Sequence, residues 1–267
     1  MIKLFFIGTG KMATAIAAGL TAAGVYNPDE LCGYDISPDA AGAFNEASGV
    51  RAVSAMPLEL LEATPAVLIA VKPQMVKAAL AEYDGLLRDK TVISIAAGVP
   101  IELLEELTGS KRIIRVMPNT PALVGCGATA FAPSKGAEAS DIALADKIFS
   151  SIGIALQMPE SSLDAVTALS GSGPAYVFEF IQALADGGVA EGLSRKDALL
   201  LAAQTVAGAA KMVLETGEHP AELKDKVTSP AGTTSRALEV MAERAFTGTV
   251  IQAVRAAAAR SKELGKK

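Results

Sequence analysis

Five hydroxyl side chains occur in the stretch KVTSPAGTTSRALE, near the C-terminal end of the sequence, and four of them are candidates for a site. These four belong to Thr228, Ser229, Thr233 and Thr234. The stretch also contains a Pro-Ala-Gly turn, after which a helix is predicted to begin. Because the first N–H groups of a helix have no partner within it, the backbone from Gly232 to Ser235 could bind a carboxylate. We therefore interpret this stretch as a helix start that grips a small acid.

A second stretch, FFIGTGKMATAIAAGL, has the spacing of a nucleotide-binding glycine turn. Gly8, Gly10 and Ala13 follow the G-x-G-x-x-G/A pattern between a predicted strand and a predicted helix. The first glycine permits a tight turn, the second lets a pyrophosphate approach the backbone, and the alanine lets helix and strand pack closely. A glycine turn that binds nothing is the alternative. The strand before it and the helix after it favour a dinucleotide site.

Further candidates follow other predicted strands, at the edge of the sheet where open α/β folds bind ligands. Asp35 ends the run ELCGYD, where a carboxylate could hydrogen-bond the ribose of NAD; an ordinary turn-forming aspartate is the alternative. Lys72 and Pro73 follow AVLIAV, and small residues at positions 96–98 leave room for a flat ring. Lys72 could contact the cofactor or could simply be solvated.

Asn119 lies in the stretch RVMPNTPALVGCG, between two prolines that make the backbone rigid. Its side chain offers a donor and an acceptor, which suits the carboxamide of a nicotinamide. A structural loop with an Asx-type turn is the alternative, and the local sequence alone favours that interpretation.

Histidine and cysteine side chains are scarce in the sequence. The only histidine, His219, precedes a proline at a predicted helix start, and we interpret it as a turn residue. The two cysteines, Cys32 and Cys126, have neither metal-ligand spacing nor a disulfide pattern. We therefore expect no metal site and a reducing, cytoplasmic location.

The elements that must hold these residues follow two patterns. From residue 1 to 158, apolar runs alternate with helical stretches, which predicts a Rossmann-type doubly wound α/β sheet covered by helices on both faces. The runs are KLFFIG, ELCGYD, AVLIAV, TVISIA and RIIRVM. From 159 to 267, alanine-rich patterns predict an all-α domain. The predicted helices are Met12–Ala23, Pro38–Ala47, Pro73–Tyr83, Ile101–Thr108, Ala175–Gly187, Arg195–Thr216, Thr233–Glu243 and Phe246–Leu264.

Composition restricts the class of partner. Of 267 residues, 51% are hydrophobic and 20% are charged, which excludes a disordered chain. The formal net charge is −5 and no long basic block occurs, so neither nucleic acid nor an anionic membrane surface is expected as a partner. No apolar stretch approaches the roughly 20 residues that a membrane helix needs. The expected partner is a small molecule.

Several motifs in fixed order, spread over nearly the whole chain, resemble those of the Δ1-pyrroline-5-carboxylate reductase family. They are GTGKM, AVKPQ, SIAAG, RVMPNTPA, LSGSGPAY, LKD-x-V and SP-x-GTT. The resemblance implies reduction of 1-pyrroline-5-carboxylate to L-proline with NADPH or NADH, the last step of proline synthesis. It also implies that the helical domain forms intertwined homodimers and binds substrate; dimers of this family can associate further into a homodecamer of five dimers.

The resemblance also implies roles for individual residues. The implied cofactor-binding residues are Ile7, Gly8, Thr9, Gly10, Lys11, Met12, Asp35, Ser37, Ala70, Val71, Lys72, Pro73, Ala96, Ala97, Gly98 and Asn119. The implied substrate-binding residues are Glu160, Ser172, Gly173, Ser229, Gly232, Thr233 and Thr234, with Thr234 also the catalytic residue.

Thr234 could hydrogen-bond the ring nitrogen and either donate a proton or relay one from water. Since hydroxyls are weak acids, the relay or a simple positioning role is favoured. Glu160 could stabilise a protonated ring nitrogen, or could be a helix-terminal carboxylate.

Three regions depart from the family pattern, and one of them is Met56–Pro57, which replaces an asparagine often found near the adenosine. Ala231 stands where the family usually has the first glycine of a pair, at a cost of about 1 kcal/mol if the position needs positive φ. Asp35 and Ile36 stand where NADPH-specific members often have an arginine or a hydroxyl-rich stretch. The sequence therefore does not decide between NADH and NADPH.

Two other classes of function remain as alternatives. A related cyclic-imine reductase or hydroxy-acid dehydrogenase would be expected to use a lysine inside a helix of the second domain, for which Lys211 is the candidate. A dinucleotide-binding regulator without turnover would keep the glycine turn, but it would not need Thr234, Glu160 and the acid-gripping turn together.

Overall fold

The computed structural model describes residues 1–83 and 85–265, and eight strands of this part form one sheet. The strands are β1 (Leu4–Ile7), β2 (Leu31–Tyr34), β3 (Ala52–Val53), β4 (Ala66–Ile69), β5 (Thr91–Ser94), β6 (Ile113–Met117), β7 (Gly127–Pro133) and β8 (Gly153–Gln157). Their order is β3-β2-β1-β4-β5-β6-β7-β8, and all neighbouring pairs are parallel except β6 and β7. The order reverses between β1 and β4, so a ligand crevice is expected at the carboxyl ends of these two strands.

Twelve α-helices accompany the sheet in the described part of the chain. The helices interleaved with the strands, or directly after β8, are α1 (Lys11–Ala22), α2 (Pro38–Ser48), α3 (Leu58–Glu62), α4 (Val76–Leu80), α5 (Ile101–Thr108), α6 (Ala139–Ser150) and α7 (Leu163–Val166). The later helices are α8 (Gly173–Ala190), α9 (Arg195–Thr216), α10 (Pro220–Lys226), α11 (Thr233–Glu243) and α12 (Phe246–Leu264).

Apolar side chains cover both faces of the sheet. Alternate residues of a strand point to opposite faces, and in β1 Leu4 and Phe6 join one buried core while Phe5 and Ile7 join the other. All four residues are at most 1% exposed. The predicted doubly wound sheet followed by helices is therefore confirmed.

The five predicted apolar runs all form strands, whereas β3, β7 and β8 were not predicted. The sequence of β7, GATAFAP, has small residues and a proline instead of an apolar run, and it pairs antiparallel to β6. The predicted helix Pro73–Tyr83 is broken into α4 and two flanking 3₁₀ turns. Local apolar pattern thus identifies the central strands but not the edge of the sheet.

The chain divides into two compact units. The first unit comprises Met1–Ser172 together with Ala257–Lys267, and the second unit comprises Gly173–Ala256. The division falls after the predicted domain boundary at residue 158, which stays a prediction. The last residues of α12 belong to the first unit, an assignment that no sequence pattern indicated.

A buried carboxylate fastens the strands that carry two of the candidate loops. Asp141 at the start of α6 accepts hydrogen bonds from Thr91 Oγ1 of β5 at 2.5 Å and from Arg112 Nη2 at 2.6 Å. Burial raises the pKa of Asp141, but the Arg112 guanidinium and the Thr91 hydroxyl outweigh it and hold this pKa below its usual value. The ionised carboxylate therefore ties α6 to β5 and to the residue that precedes β6.

In the second unit, small residues let α8 and α9 pack closely. Ala185 of α8 and Ala198 and Ala202 of α9 are buried together. No apolar stretch of membrane-spanning length was expected from the sequence, but by length and composition α9 is the one helix of the described chain that could cross a membrane. It begins with the charged residues Arg195, Lys196 and Asp197, and most of its surface is exposed.

Candidate active site

The turn after β1 requires glycine at position 8. Gly8 has φ +93°, and a Cβ there would lie 2.8 Å from Val71 Cγ1 and 2.9 Å from the carbonyl carbon of Ala70. Those contacts are too short for a real side chain, and positive φ favours glycine as well. The N–H of Gly8 donates to the carbonyl of Tyr34 at 2.8 Å. The turn therefore lies tightly between the ends of β2 and β4.

The N-terminus of α1 is free to bind an anion. The N-cap residue of α1 is Gly10, which has no side chain that could bond to the first N–H groups of the helix. The first turn of α1 has no acidic residue. A Cβ on Gly10 would meet nothing within 4 Å, so the backbone there faces open space. Exposed N–H groups at a helix start attract phosphate, and the residues present thus fit the pyrophosphate of a dinucleotide.

Asp35 uses both carboxylate oxygens to hold the loops of the crevice. Its Oδ2 accepts from the backbone N–H of Thr9 at 2.9 Å and from Thr9 Oγ1 at 3.3 Å. Its Oδ1 accepts from the N–H of Ser37 at 3.0 Å, and Ser37 caps α2. The turn-forming role is therefore present, and the predicted ribose contact stays a prediction.

A cavity of about 350 Å³, the first cavity, opens beside the glycine turn. Its walls include seven of the implied cofactor residues, which are Ile7, Gly8, Gly10, Asp35, Ala70, Val71 and Lys72. Its other wall was missed by the sequence analysis and comprises Tyr34, Ile36, Met75, Ala78, Ala79, Glu82 and Tyr83. Most of these residues follow the AVKPQ motif, and their helical spacing was the one feature of the sequence that could have placed them on this wall.

Burial raises the pKa of Tyr34, and the negative charges of Glu82 and Asp35 raise it further.

A larger cavity of about 830 Å³, the second cavity, lies in the first unit beside the β5–α5 loop. It brings together Pro73, Ala97, Gly98 and Ser172, which the resemblance had implied, whereas Ala96 is buried beneath the loop. Residues that were not predicted complete the walls, and these include Thr167, Arg260, Ser261 and Leu264. The end of α12 is held there because Ser261 Oγ donates to Asp164 Oδ1 at 2.6 Å.

The side chain of Glu160 is engaged with the backbone and with a cation. Its Oε1 accepts from the N–H of Ile101, at the start of α5, at 2.8 Å and from Arg115 Nη1 at 2.8 Å. The side chain of Arg115 is 13% exposed, so its charge depends on this partner. The geometry favours the helix-terminal interpretation of Glu160, although the helix concerned is α5 and not its own.

Asn119 is buried, and its carboxamide bonds to backbone groups. Nδ2 donates to the carbonyl of Ser170 at 3.0 Å, and Oδ1 accepts from the N–H of Ala128 at 2.9 Å. Asn119 is not among the residues that line either cavity, and its predicted contact with a nicotinamide stays a prediction. Thr9, Lys11, Met12 and Ser37 are likewise not among the lining residues of either cavity.

In the second unit, the hydroxyl-rich stretch forms a tight turn before α11. A Cβ on Gly232 would lie 2.2 Å from Ser229 Oγ, so a side chain here would require the Ser229 hydroxyl to rotate away. The N-cap residue of α11 is Gly232, which has no side chain that could bond to the first N–H groups of the helix. The first turn of α11 has no acidic residue. Thr234 is half-buried in that first turn. The free helix start predicted from the sequence is therefore present.

Two further residues of the second unit have structural roles. His219 caps α10 by accepting the N–H of Ala221 on Nδ1 at 3.2 Å, which confirms its interpretation as a turn residue. Ala231 has φ +53°, in the left-handed region that disfavours a residue with a Cβ. The departure from glycine at this position therefore carries backbone strain.

Two family models match the sequence. A model described as pyrroline-5-carboxylate reductase dimerisation matches residues 160–264, and one described as NADP oxidoreductase coenzyme F420-dependent matches residues 3–98. A pyrroline-5-carboxylate reductase of Methanosarcina acetivorans is 46% identical over 267 residues, which covers 99% of this chain and 98% of the relative.

Solved structures agree with the sequence relatives. A pyrroline-5-carboxylate reductase of Coxiella burnetii superposes with a TM-score of 0.91 at 37% identity, covering 98% of each chain. The pyrroline carboxylate reductase of Plasmodium falciparum with NADP bound superposes with a TM-score of 0.88 at 36% identity, covering 99% of this chain and 98% of the other.

The strain at Ala231 predicts a stabilising substitution. Ala231→Gly should raise the free energy of unfolding in urea by about 1 kcal/mol, because glycine adopts positive φ without steric cost. As a matched control, Ala237→Gly in the body of α11 should lower it by about 1 kcal/mol. Equal destabilisation by both substitutions would mean that residue 231 does not adopt positive φ in solution.

Proposed function

Because this chain belongs to the pyrroline-5-carboxylate reductase family, we propose that it reduces the C=N bond of 1-pyrroline-5-carboxylate to L-proline with NADPH or NADH. The observation that carries the proposal is 46% identity to such a reductase over 99% of the chain. The free N-terminus of α1 behind a glycine turn supports the dinucleotide as hydride donor.

The dinucleotide supplies the hydride, so the protein must bind and orient two small molecules and manage one proton. In the first unit, the glycine turn and the first N–H groups of α1 hold the pyrophosphate. Ala97 and Gly98 line the second cavity without bulky side chains, which leaves room for a flat nicotinamide ring. No strong side-chain base is needed for this chemistry.

In the second unit, the start of α11 is assigned to the substrate. The N–H groups after Gly232 are free to grip the carboxylate of the imino acid, and the helix dipole favours the same charge. Thr234, one residue into α11, orients the ring nitrogen through its hydroxyl and relays a proton to it from water. Thr233, Ser229, Ser172 and Gly173 remain assigned to the substrate side.

We assign the exposed apolar face of the helical unit to self-association as a homodimer. Phe178 of α8 is 63% exposed, and Leu200 and Leu214 of α9 are 67% and 77% exposed. Several exposed large apolar side chains on two packed helices are typical of a protein interface, and the dimerisation family model covers both helices. A second copy of the chain would cover it. Intertwining of the two copies, a homodecamer and a cytoplasmic location stay predictions.

The alternatives have weaker support. Lys211, the candidate base of a dehydrogenase, is 72% exposed on α9 and faces Glu215 at 3.5 Å across one turn. A solvated lysine in an ion pair is a poor general base at neutral pH. A regulator without turnover would have no need of the acid-gripping turn.

Removal of the Thr234 hydroxyl tests the proposed mechanism. Thr234→Val should lower kcat for pyrroline-5-carboxylate by about 100-fold, because a positioned proton-transferring group typically contributes roughly 100- to 10,000-fold and a relay lies at the lower end of that range. Oxidation of NADH or NADPH is followed by absorbance. Thr228→Val is the control, because that hydroxyl is already bonded to the carbonyl of Lys224 at 2.7 Å. Unchanged kcat in Thr234→Val would remove this residue from the mechanism; no imino-acid-dependent oxidation by the wild type would reject the function.

Substitution of Glu160 separates a structural role from a substrate contact. Glu160→Gln should lower the free energy of unfolding by about 1–3 kcal/mol, because it leaves the Arg115 charge without its partner. The KM for pyrroline-5-carboxylate should stay within about twofold of the wild type. A rise of KM by tenfold or more without loss of stability would instead assign Glu160 to the substrate.

The charges of the first cavity predict a preference for NADH. Asp35 and Glu82 line it with Lys72 as the only cation among its described walls, so a 2′-phosphate would meet a net negative site. We expect kcat/KM for NADH to exceed that for NADPH by about tenfold, which corresponds to roughly 1.4 kcal/mol.

Glu82→Gln should raise kcat/KM for NADPH and leave that for NADH nearly unchanged. Glu46→Gln, at an exposed position of α2 outside the cavity, is the control and should alter neither. A wild-type enzyme that prefers NADPH would contradict this assignment of the cavity.

A further inference from the structure

Asn119 joins two segments that are far from it in sequence. Its Nδ2 reaches the carbonyl of Ser170, 51 residues away, and its Oδ1 receives the N–H of Ala128, the second residue of β7. The side chain is buried, with the residue 8% exposed. Both functions of the carboxamide, donor and acceptor, are therefore used to connect backbone segments.

The carbonyl that Asn119 reaches lies in an irregular turn. Ser170 belongs to a π-helical turn, Thr167–Gly171, just before α8. In a regular α-helix this carbonyl would accept from the N–H four residues on, but Pro174 stands there and has no N–H. Asn119 supplies a donor from outside the helix. The wide turn is closed where Ser172 N–H donates to the carbonyl of Thr167 at 2.8 Å.

A second contact holds the same turn against β6. A Cβ on Gly171 would lie 2.5 Å from Met117 Cε, so the turn packs directly on the side chain of the last residue of β6. Asn119 follows that strand by two residues. The position of the π-helical turn is therefore set from the end of β6 through one hydrogen bond and one packing contact.

The π-helical turn forms a wall of the second cavity. Thr167 at its start and Ser172 just after its end line this cavity together with the Ala97–Gly98 loop, which we assign to the nicotinamide. A shift of the turn would change the space between these residues and that loop. Wide helical turns recur at functional sites, where they place side chains that a regular helix would not.

We propose that Asn119 is a positioning residue for imine reduction: through Ser170 it fixes the wall carrying Thr167 and Ser172, and so fixes how closely substrate and nicotinamide approach. This inference rests on the proposed function. In this role Asn119 acts on the site through the backbone at Ser170 and does not contact the carboxamide of the nicotinamide. A misplacement of about 1 Å is enough to slow a reaction on the order of 100-fold without loss of binding.

Asn119→Asp tests this role, because aspartate keeps the acceptor for Ala128 and loses the donor for Ser170. We expect kcat to fall by about 10- to 100-fold in the folded variant. The dissociation constants of NADH and of ADP-ribose, measured by calorimetry, should both stay within about threefold of the wild type. If the aspartate variant does not fold, Asn119→Ser carries the same measurements.

Asn45→Asp is the matched control. Asn45 on α2 makes the same pair of backbone bonds, both to Ala52, and lines neither cavity. Its substitution should lower thermal stability and leave kcat within twofold of the wild type.

Two results would overturn the inference. One is a kcat within twofold of the wild type in folded Asn119→Asp. The other is a tenfold weaker affinity for NADH with unchanged affinity for ADP-ribose, which would make Asn119 a direct nicotinamide ligand. A wild type that fails to oxidise either dinucleotide with pyrroline-5-carboxylate would contradict the proposed function instead.

Discussion

The turn between β1 and α1 can approach the end of β4 only because residue 8 has no side chain. A Cβ on Gly8 would enter the space of Val71 and of the Ala70 backbone. Since the strand order reverses between β1 and β4, this close approach shapes the crevice where a dinucleotide binds. A side chain there would push the turn away from β4, and the free N–H groups of α1 would no longer face the crevice. The first cavity and the phosphate site both depend on this one steric constraint.

Around that turn, polar residues are used to hold loops in place. Asp35 ties Thr9 to the start of α2, Glu160 ties α5 to Arg115 of β6, and Asn119 ties β7 to the π-helical turn. Each of these three side chains has the chemistry of a ligand contact, and each is already bonded within the first unit. Such bonding suits an enzyme whose cofactor supplies the hydride, because a rigid site then contributes more than additional acids and bases.

Local sequence patterns predicted the regular elements of the fold, whereas the long-range bonds between loops could not be predicted. Central strands such as β1 are continuous apolar runs, and α5 and α11 have clear helical spacing, so their positions were predicted to the residue or nearly so. The edge strand β8 and its neighbour β7 have no such pattern. The partners of Asn119 and Glu160 lie 51 and 59 residues away, and no local signal indicates bonds of that range. Arg260 reaches the second cavity only because the end of α12 returns to the first unit.

The dinucleotide site of the first unit and the helix start of the second unit are stabilised in different ways. In the first unit, hydrogen bonds satisfy the loop residues and no non-glycine residue of the described chain there has positive φ. In the second unit, Ala231 before α11 and Ala245 after it both adopt positive φ, at a cost of about 1 kcal/mol each. Strain of this kind persists only where surrounding structure overrides local preference. Ala231 and Ala245 are both exposed and no residue of α11 is buried, so packing within the described chain does not offset this strain, whereas the dinucleotide site is held by its own hydrogen bonds.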